Sequence, residues 1–159
     1  MRVLYIFTFM YSLEIWDKTG TLEKELKIFK ELHKKYKIKF TFLTYGTSHD
    51  NKYMLDDYGV NVVPIFEFKN ISKNKFVNII YSIYFVLKNK SEFNNCDVIK
   101  HNQLNGIWLG IILKYIFKIK LILRTGYDSY RFSIYEKKSK QKKFLYFYLK
   151  KLGIYFSDL

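Results

Sequence analysis

The sequence is poor in cysteine, proline and glycine, and these shortages exclude whole classes of protein. Cys96 is the only cysteine among 159 residues, and there is a single proline. One cysteine provides neither a disulfide framework nor a thiolate metal site, so we expect no metal and a reduced, cytoplasmic setting. No repeat, low-complexity stretch or linker divides the chain. We therefore predict one domain spanning residues 1–159.

Long apolar runs are also missing. Residues 78–87 are apolar but fall well short of the roughly 20 residues that cross a bilayer. Residues 104–123 are numerous enough but include three lysines, Lys114, Lys118 and Lys120. The opening MRVLYIFTFMYSLEIW has one early arginine, no small-residue cleavage site and then an acid, which is not the pattern of a signal peptide. We expect a protein that is soluble or lies on a membrane surface.

Acidic residues are scarce relative to basic ones. The chain has 28 Lys and Arg against 14 Asp and Glu, a formal net charge of +14 at pH 7. This imbalance favours anionic partners such as phosphates, nucleic acid or an acidic membrane face. A codon bias towards Lys, Asn, Ile, Phe and Tyr is the alternative explanation.

Strand-like and helix-like segments alternate along the chain. The predicted strands are RVLYIFTF, KIKFTFLTYG, GVNVVPIF, CDVIKHN and KLILRT. Helical periodicity covers residues 21–36, KFVNIIYSIYFVLKNK after Ser72, GIWLGIILKYIF and about 134–152. We expect a polar loop over residues 10–20 and Thr21 as the cap of the first helix. The alternation predicts an α/β fold: a Rossmann-like open parallel sheet of about five strands with helices on both faces.

Polar residues gather where three of the predicted strands end. Ligands bind outside the carboxyl ends of the strands in such sheets, so we predict one cleft there. Its candidate lining residues are Asp17 and Gly20 after the first strand, His101, Asn102 and Gln103 after the fourth, and Arg124, Thr125, Gly126 and Asp128 after the fifth.

Each candidate has a chemical role and a structural alternative. Gly20 precedes a helix, where backbone N–H groups bind phosphate, or it is an ordinary loop glycine. His101 and its two neighbours can hydrogen-bond sugar hydroxyls or a phosphate, or the histidine is structural. Asp17 could contact acceptor hydroxyls or be a solvated acid. Arg124 can bind an anionic group, or it pairs with Asp128 as a structural latch.

Four segments occur in an order that resembles a known family. They are the strand RVLYIF, the loop that reaches a helix through Gly20, DVIKHNQLNG and KLILRTGYD. The chain is similar to the N-terminal half of retaining glycosyltransferases of the GT-B fold, the family-4-like "group 1" type. In that family two Rossmann-like domains face each other across a cleft. The C-terminal domain holds the nucleotide-sugar, and the N-terminal domain mainly binds the acceptor. Thr125 stands where the family usually has a histidine, and it could donate a hydrogen bond.

The resemblance implies a function for the complete enzyme. A sugar would pass from a nucleotide-sugar, for example a UDP- or GDP-sugar, to a glycan or lipid-linked acceptor in cell-surface polysaccharide synthesis. The chain itself would hold no cofactor and be inactive without a C-terminal domain or a partner chain. The closing YFSDL resembles the entry to a sixth strand of such enzymes.

The last predicted helix combines lysines with aromatic residues. This composition is typical of a segment that lies on anionic lipid, here at the inner face of the cytoplasmic membrane. A domain-covering helix with a solvated lysine end is the alternative. The lysines that would face the membrane are Lys138, Lys142, Lys143, Lys150 and Lys151.

Two other functions remain open. One is a non-catalytic module that binds a membrane or nucleic acid; nucleic acid is disfavoured because the lysines cluster on one helix and no nucleic-acid motif occurs. The other is a dinucleotide-dependent oxidoreductase or a methyltransferase. The first loop lacks G-x-G-x-x-G and no acid ends the second strand, which disfavours a dinucleotide site.

Overall fold

The computed structural model describes residues 1–125 and 128–158, which form a five-stranded, all-parallel sheet. The strand order is β3-β2-β1-β4-β5. This arrangement confirms the predicted Rossmann-like α/β fold with helices on both faces. The strands are β1 (Arg2–Ile6), β2 (Lys39–Thr44), β3 (Val60–Pro64), β4 (Val98–His101) and β5 (Lys120–Leu123).

Six α-helices and three short 3-10 segments connect and cover the strands in the described parts of the chain. The 3-10 segments are Ser48–Tyr53, Asp56–Tyr58 and Lys90–Phe93. The α-helices are α1 (Leu13–Lys18), α2 (Leu22–Tyr36), α3 (Lys75–Lys88), α4 (Ile107–Phe117), α5 (Ser129–Tyr135) and α6 (Lys140–Phe156).

One face of the sheet packs against α1 and α2. Side chains alternate between the faces of a strand, so Val3 and Tyr5 of β1 point to this side together with Phe42 of β2. The core here is strongly aromatic: Phe29 of α2 lies 4.8 Å from Phe42 and 5.0 Å from Tyr5, ring centre to ring centre. Edge-to-face packing of this kind stabilises the fold beyond simple area burial. We call these two helices the α1–α2 layer.

The opposite face packs against α3, α4 and α6. Leu4 and Ile6 of β1 point to this side, where they meet Val86 of α3, Leu113 of α4 and Leu149 of α6. Helix α4 contacts both α3 and α6 and therefore lies between them. We call these three helices the α3–α4–α6 layer.

The predicted polar loop over residues 10–20 is wrong, because it contains α1. Ser12 caps this helix by accepting a hydrogen bond from the Ile15 N–H at 3.2 Å, and Leu13 and Trp16 are buried. A helix of six residues is too short to show a repeating apolar pattern. The predicted cap Thr21 makes no side-chain hydrogen bond to α2, whereas the Asn74 side chain caps α3.

The single helix predicted over about 134–152 is wrong as well, because the structure has two helices there. Asp128 caps α5 by accepting from the N–H groups of Tyr130 and Arg131. The chain then turns through Lys137, whose φ of 50° is left-handed and cannot continue a right-handed helix.

Beyond α6, Asp158 lies beside β5 and donates its N–H to Leu121 O at 2.8 Å. The resemblance places the entry to a sixth strand at this point of the chain.

Candidate functional site

A cleft of about 480 Å³ opens at the carboxyl edge of the sheet, beside the ends of β1, β4 and β5. The chain leaves β1 towards β2 on one side, whereas β4 flanks β1 on the other, so this is the point where the strand order reverses. Open α/β sheets bind their ligands in this crevice. The lining residues are Thr8, Tyr11, Trp16, Thr19, Thr21, Glu25, Asn102, Gln103 and Arg124.

Two of the predicted residues that line the cleft follow β4 directly. The buried Tyr5 hydroxyl donates to Asn102 Oδ1 at 2.7 Å, and the Asn102 N–H donates to Ile6 O at 2.9 Å. These bonds fix the Asn102 side chain through its oxygen and leave its two amide N–H groups without an acceptor among the described residues. Burial, reinforced by the Glu25 carboxylate, raises the pKa of Tyr5, so its hydroxyl stays protonated and can keep donating.

Charged groups border the cleft on the β5 side. Arg124 Nη1 lies 4.0 Å from Glu25 Oε2, and the guanidinium is about half exposed. Lys100 is half-buried beneath them, with its Nζ 5.7 Å from the centre of the Tyr5 ring. Burial and the neighbouring Arg124 charge lower the pKa of Lys100, although Glu25 opposes the shift. Although Lys100 does not line the cleft, the group formed by Arg124, Glu25 and Lys100 carries a net positive charge beside it.

A buried carboxylate that the sequence did not reveal holds the first loop in place. Asp50 accepts hydrogen bonds from the Thr44 hydroxyl at 2.6 Å and from the N–H groups of Leu13 and Glu14 at 3.1 and 3.0 Å. It thereby anchors the positive N-terminal end of α1 to the end of β2. Gly46 is required beside it, because a Cβ there would overlap the Asp50 carboxylate.

Gly20 closes α1 rather than opening a phosphate site. Its φ is +70°, its N–H donates to Asp17 O at 3.0 Å, and the Thr21 N–H donates to Trp16 O at 2.9 Å. This pair of bonds is a Schellman cap, which favours glycine for its left-handed conformation. The Gly20 N–H is therefore engaged within the chain, and only its neighbours Thr19 and Thr21 line the cleft.

Asp17 lies away from the cleft. Its Oδ2 accepts from the Tyr53 hydroxyl at 2.6 Å and lies 4.0 Å from Lys52 Nζ, on the side of α1 that faces the 3-10 segment Ser48–Tyr53. The structure thus gives this carboxylate a contact within the fold and does not place it among the lining residues.

His101 ends β4 but points to the α3–α4–α6 layer. It is fully buried, and a Cβ added at Gly110 of α4 would lie 3.3 Å from its Cδ2. Neither ring nitrogen has a hydrogen-bond partner of good geometry among the described residues, although backbone of Gln103 and Gly106 is close. Burial lowers the pKa of His101 to about 4, so the ring is neutral at neutral pH. Of the three predicted residues after β4, only Asn102 and Gln103 reach the cleft.

Only some of the predicted residues after β5 line the cleft, as after β4. Arg124 lines the cleft, Thr125 is exposed, and Gly126 lies outside the described residues. Asp128 Oδ2 accepts from Lys150 Nζ at 2.6 Å, so the alternative of an Arg124–Asp128 latch is wrong. Although partial burial opposes it, these hydrogen bonds from Lys150 and from the α5 cap lower the pKa of Asp128.

The five predicted membrane-facing lysines differ in their surroundings. Lys138 pairs with Glu136 at 2.7 Å and Lys150 with Asp128, which reduces the charge that either presents. Lys142 and Lys151 are exposed, and Lys143 is partly exposed. Within residues 1–125 and 128–158, no helix is both long and apolar enough to cross a bilayer.

Sequence reasoning missed the α1–α2 half of the cleft. Thr19 ends α1, and Thr21 and Glu25 lie at the start of α2, in the connection between β1 and β2 that approaches the strand ends in this fold. Their position relative to the predicted strands could have identified them. Trp16 and Tyr11 were hidden because α1 was taken for a loop.

Comparison with known proteins identifies no family. No family model matches the chain, and no curated protein matches it. The function is therefore inferred from the fold, from the chemistry of the cleft and from the resemblance of the sequence.

Proposed function

We propose that this domain is the acceptor-binding side of a glycosyltransferase that uses a nucleotide-sugar donor. One observation supports the proposal above all: the strand-order reversal brings Asn102, Gln103 and Arg124 together with hydroxyl groups in one open cleft. In the proposal the enzyme works in the cytoplasm, in cell-surface polysaccharide synthesis, as the resemblance of the sequence implies.

The lining groups suit a phosphorylated sugar. Sugar hydroxyls both donate and accept hydrogen bonds. The Thr19 and Thr21 hydroxyls donate to backbone carbonyls of α1 and can accept from a sugar, and the side-chain N–H groups of Asn102 can donate to one. The planar Arg124 guanidinium can bind a phosphate through two parallel N–H groups. Glu25 accepts from a sugar hydroxyl on the same side and keeps Arg124 turned towards the cleft.

These residues bind and orient the acceptor; the donor is held by the second domain of the proposed enzyme. Holding the attacking hydroxyl close to the donor sugar lowers the activation free energy, because a bimolecular step becomes effectively unimolecular. Stabilisation of the leaving diphosphate would come from groups facing this cleft across the interdomain gap. The proposal therefore requires this cleft to bind a sugar phosphate even without a donor.

The test is an NMR titration of the chain with N-acetylglucosamine 1-phosphate. We expect shift changes at the amides of Thr19, Thr21, Asn102 and Gln103, and about tenfold weaker binding after Arg124→Gln. Arg131→Gln is the matched control, because it removes the same charge from an exposed arginine on α5.

Equal weakening by the two substitutions would mean that the ligand senses only net charge, which would contradict a specific cleft. Shift changes scattered over surface lysines and abolished by moderate salt would contradict it as well.

A further inference from the structure

Helix α3 presents an apolar stripe to the outside of the molecule. Phe76, Ile80, Tyr84 and Leu87 recur at helical spacing, and all four side chains are exposed. The buried residues of the same helix, among them Phe85 and Val86, already cover the sheet. The exposed stripe therefore serves no packing purpose within the described chain.

The other two helices of this layer continue the apolar surface. On α6, Phe144, Tyr148 and Tyr155 are exposed on the side opposite the buried Leu149, and the Phe144 and Tyr148 rings lie 4.4 Å apart. Tyr115 of α4, the helix between α3 and α6, is also exposed. We call the exposed apolar side chains of α3, α4 and α6 the apolar outer face.

The helices of this face carry charge of one sign, although Glu67 and Glu92 lie near Tyr84 and Lys88, and Asp158 pairs with Lys114 of α4. The sequences of α3, α4 and α6 contain no aspartate or glutamate but several lysines. Lys75 and Lys88 stand at the two ends of α3, and Lys140 and Lys151 lie on α6. An apolar, aromatic surface bordered by lysines matches the interface of a bilayer with anionic headgroups, where aromatic rings and cations are both favoured.

We propose that the apolar outer face docks this domain onto the surface of an anionic membrane. The apolar side chains enter the headgroup region, and the lysines bind the lipid phosphates. A second copy of the chain fits less well, because two such faces would bring lysines against lysines. The inference goes beyond the proposed function and is independent of the cleft, so either can fail alone.

The chain supplies a matched pair of variants for the test. Ile80 and Tyr84 of α3 are 66% and 54% exposed, and Ile28 and Tyr36 of α2 are 53% and 57% exposed. Ile80→Glu with Tyr84→Glu adds two negative charges to the apolar outer face. Ile28→Glu with Tyr36→Glu adds the same two charges to the opposite side of the sheet. Circular dichroism first confirms that both variants are folded.

Flotation is then measured with vesicles of equal parts phosphatidylcholine and phosphatidylglycerol, and with phosphatidylcholine alone. We expect the wild type to float with the anionic vesicles, the α3 variant to bind about tenfold or more weakly, and the α2 variant to bind as the wild type does. Equal losses in both variants, or no flotation of the wild type, would overturn the proposal. So would a dimer seen by sedimentation that only the α3 variant disrupts, combined with unchanged flotation.

Discussion

The two helical layers of this molecule each cover a buried core but differ in the side chains that they expose. The sequence of α2 mixes glutamates with lysines, and Glu23 and Glu31 are exposed, as is typical of a helix that faces water. In contrast, α3, α4 and α6 expose aromatic and aliphatic side chains and contain no acid. Large apolar patches of this kind mark interaction surfaces in soluble folds. We infer from this difference that the α1–α2 layer is exposed to water and that the α3–α4–α6 layer contacts a membrane.

Matched phenylalanine truncations give the largest expected effect and test the comparison in the free protein. Phe29 of α2 is 4% exposed, and Phe76 of α3 is 74% exposed. We expect Phe29→Ala to lower the free energy of unfolding by about 3–5 kcal/mol, because it leaves a cavity among Tyr5, Phe40 and Phe42. Phe76→Ala should change it by less than about 0.5 kcal/mol.

Urea denaturation measures both variants. A destabilisation of several kcal/mol by Phe76→Ala would show that the apolar outer face is packed within the free domain, and the contrast between the layers would fail.

Asp50 and His101 are buried polar side chains on opposite sides of the sheet. Asp50, behind α1, is fully hydrogen-bonded, so Asp50→Ala should cost about 2–4 kcal/mol by leaving the Thr44 hydroxyl and two N–H groups without an acceptor. Asp57→Ala, at an exposed acid, is the control and should be nearly neutral. Thermal denaturation compares the two; equal melting temperatures would mean that Asp50 does not anchor α1.

His101, behind α4, lacks the hydrogen bonds that Asp50 has, so we expect the folded state to lose stability when this side chain is protonated. The expected change in the free energy of unfolding is smaller than that for Asp50→Ala. Its pKa is about 4 when folded and about 6.5 when unfolded, so the unfolded chain takes up the proton first. The stability contributed by the neutral ring is present above about pH 6.5 and falls by about 2 kcal/mol between pH 7 and pH 5. His101→Phe fills similar space, breaks no hydrogen bond of good geometry, and should flatten this part of the pH profile.

Urea midpoints of the wild type and of His101→Phe across this pH range check the expectation. Carboxylates titrate in both proteins, so only the difference between the two profiles is informative. Parallel profiles would mean that His101 is accessible to protons in the folded state.

The fold was predictable because apolar runs long enough to form buried strands alternate with segments whose apolar residues recur at helical spacing. Which of the candidate residues line the cleft was not predictable from the sequence. Residues Ile99 and His101 share one face of β4, but the sequence does not say which face borders the cleft, and His101 turned out to be on the other. The role of Asp50 was not predicted because the backbone N–H groups that it binds, those of Leu13 and Glu14, lie far from it in sequence.

The apolar character of α3 was plain in its sequence, yet the sequence could not show an exposed stripe. A helix that is apolar on most sides leaves no polar side to mark its orientation. The structure supplies this orientation by burying Phe85 and Val86 against the sheet and leaving Ile80 outside.

Hydrogen–deuterium exchange of the unmodified chain, with and without anionic vesicles, tests the contrast between the two layers most directly. We predict slower amide exchange in α3 and α6 on vesicle addition and unchanged exchange in α2. Slower exchange in α2, or no difference between the layers, would contradict the claim that the two sides of the sheet face different surroundings.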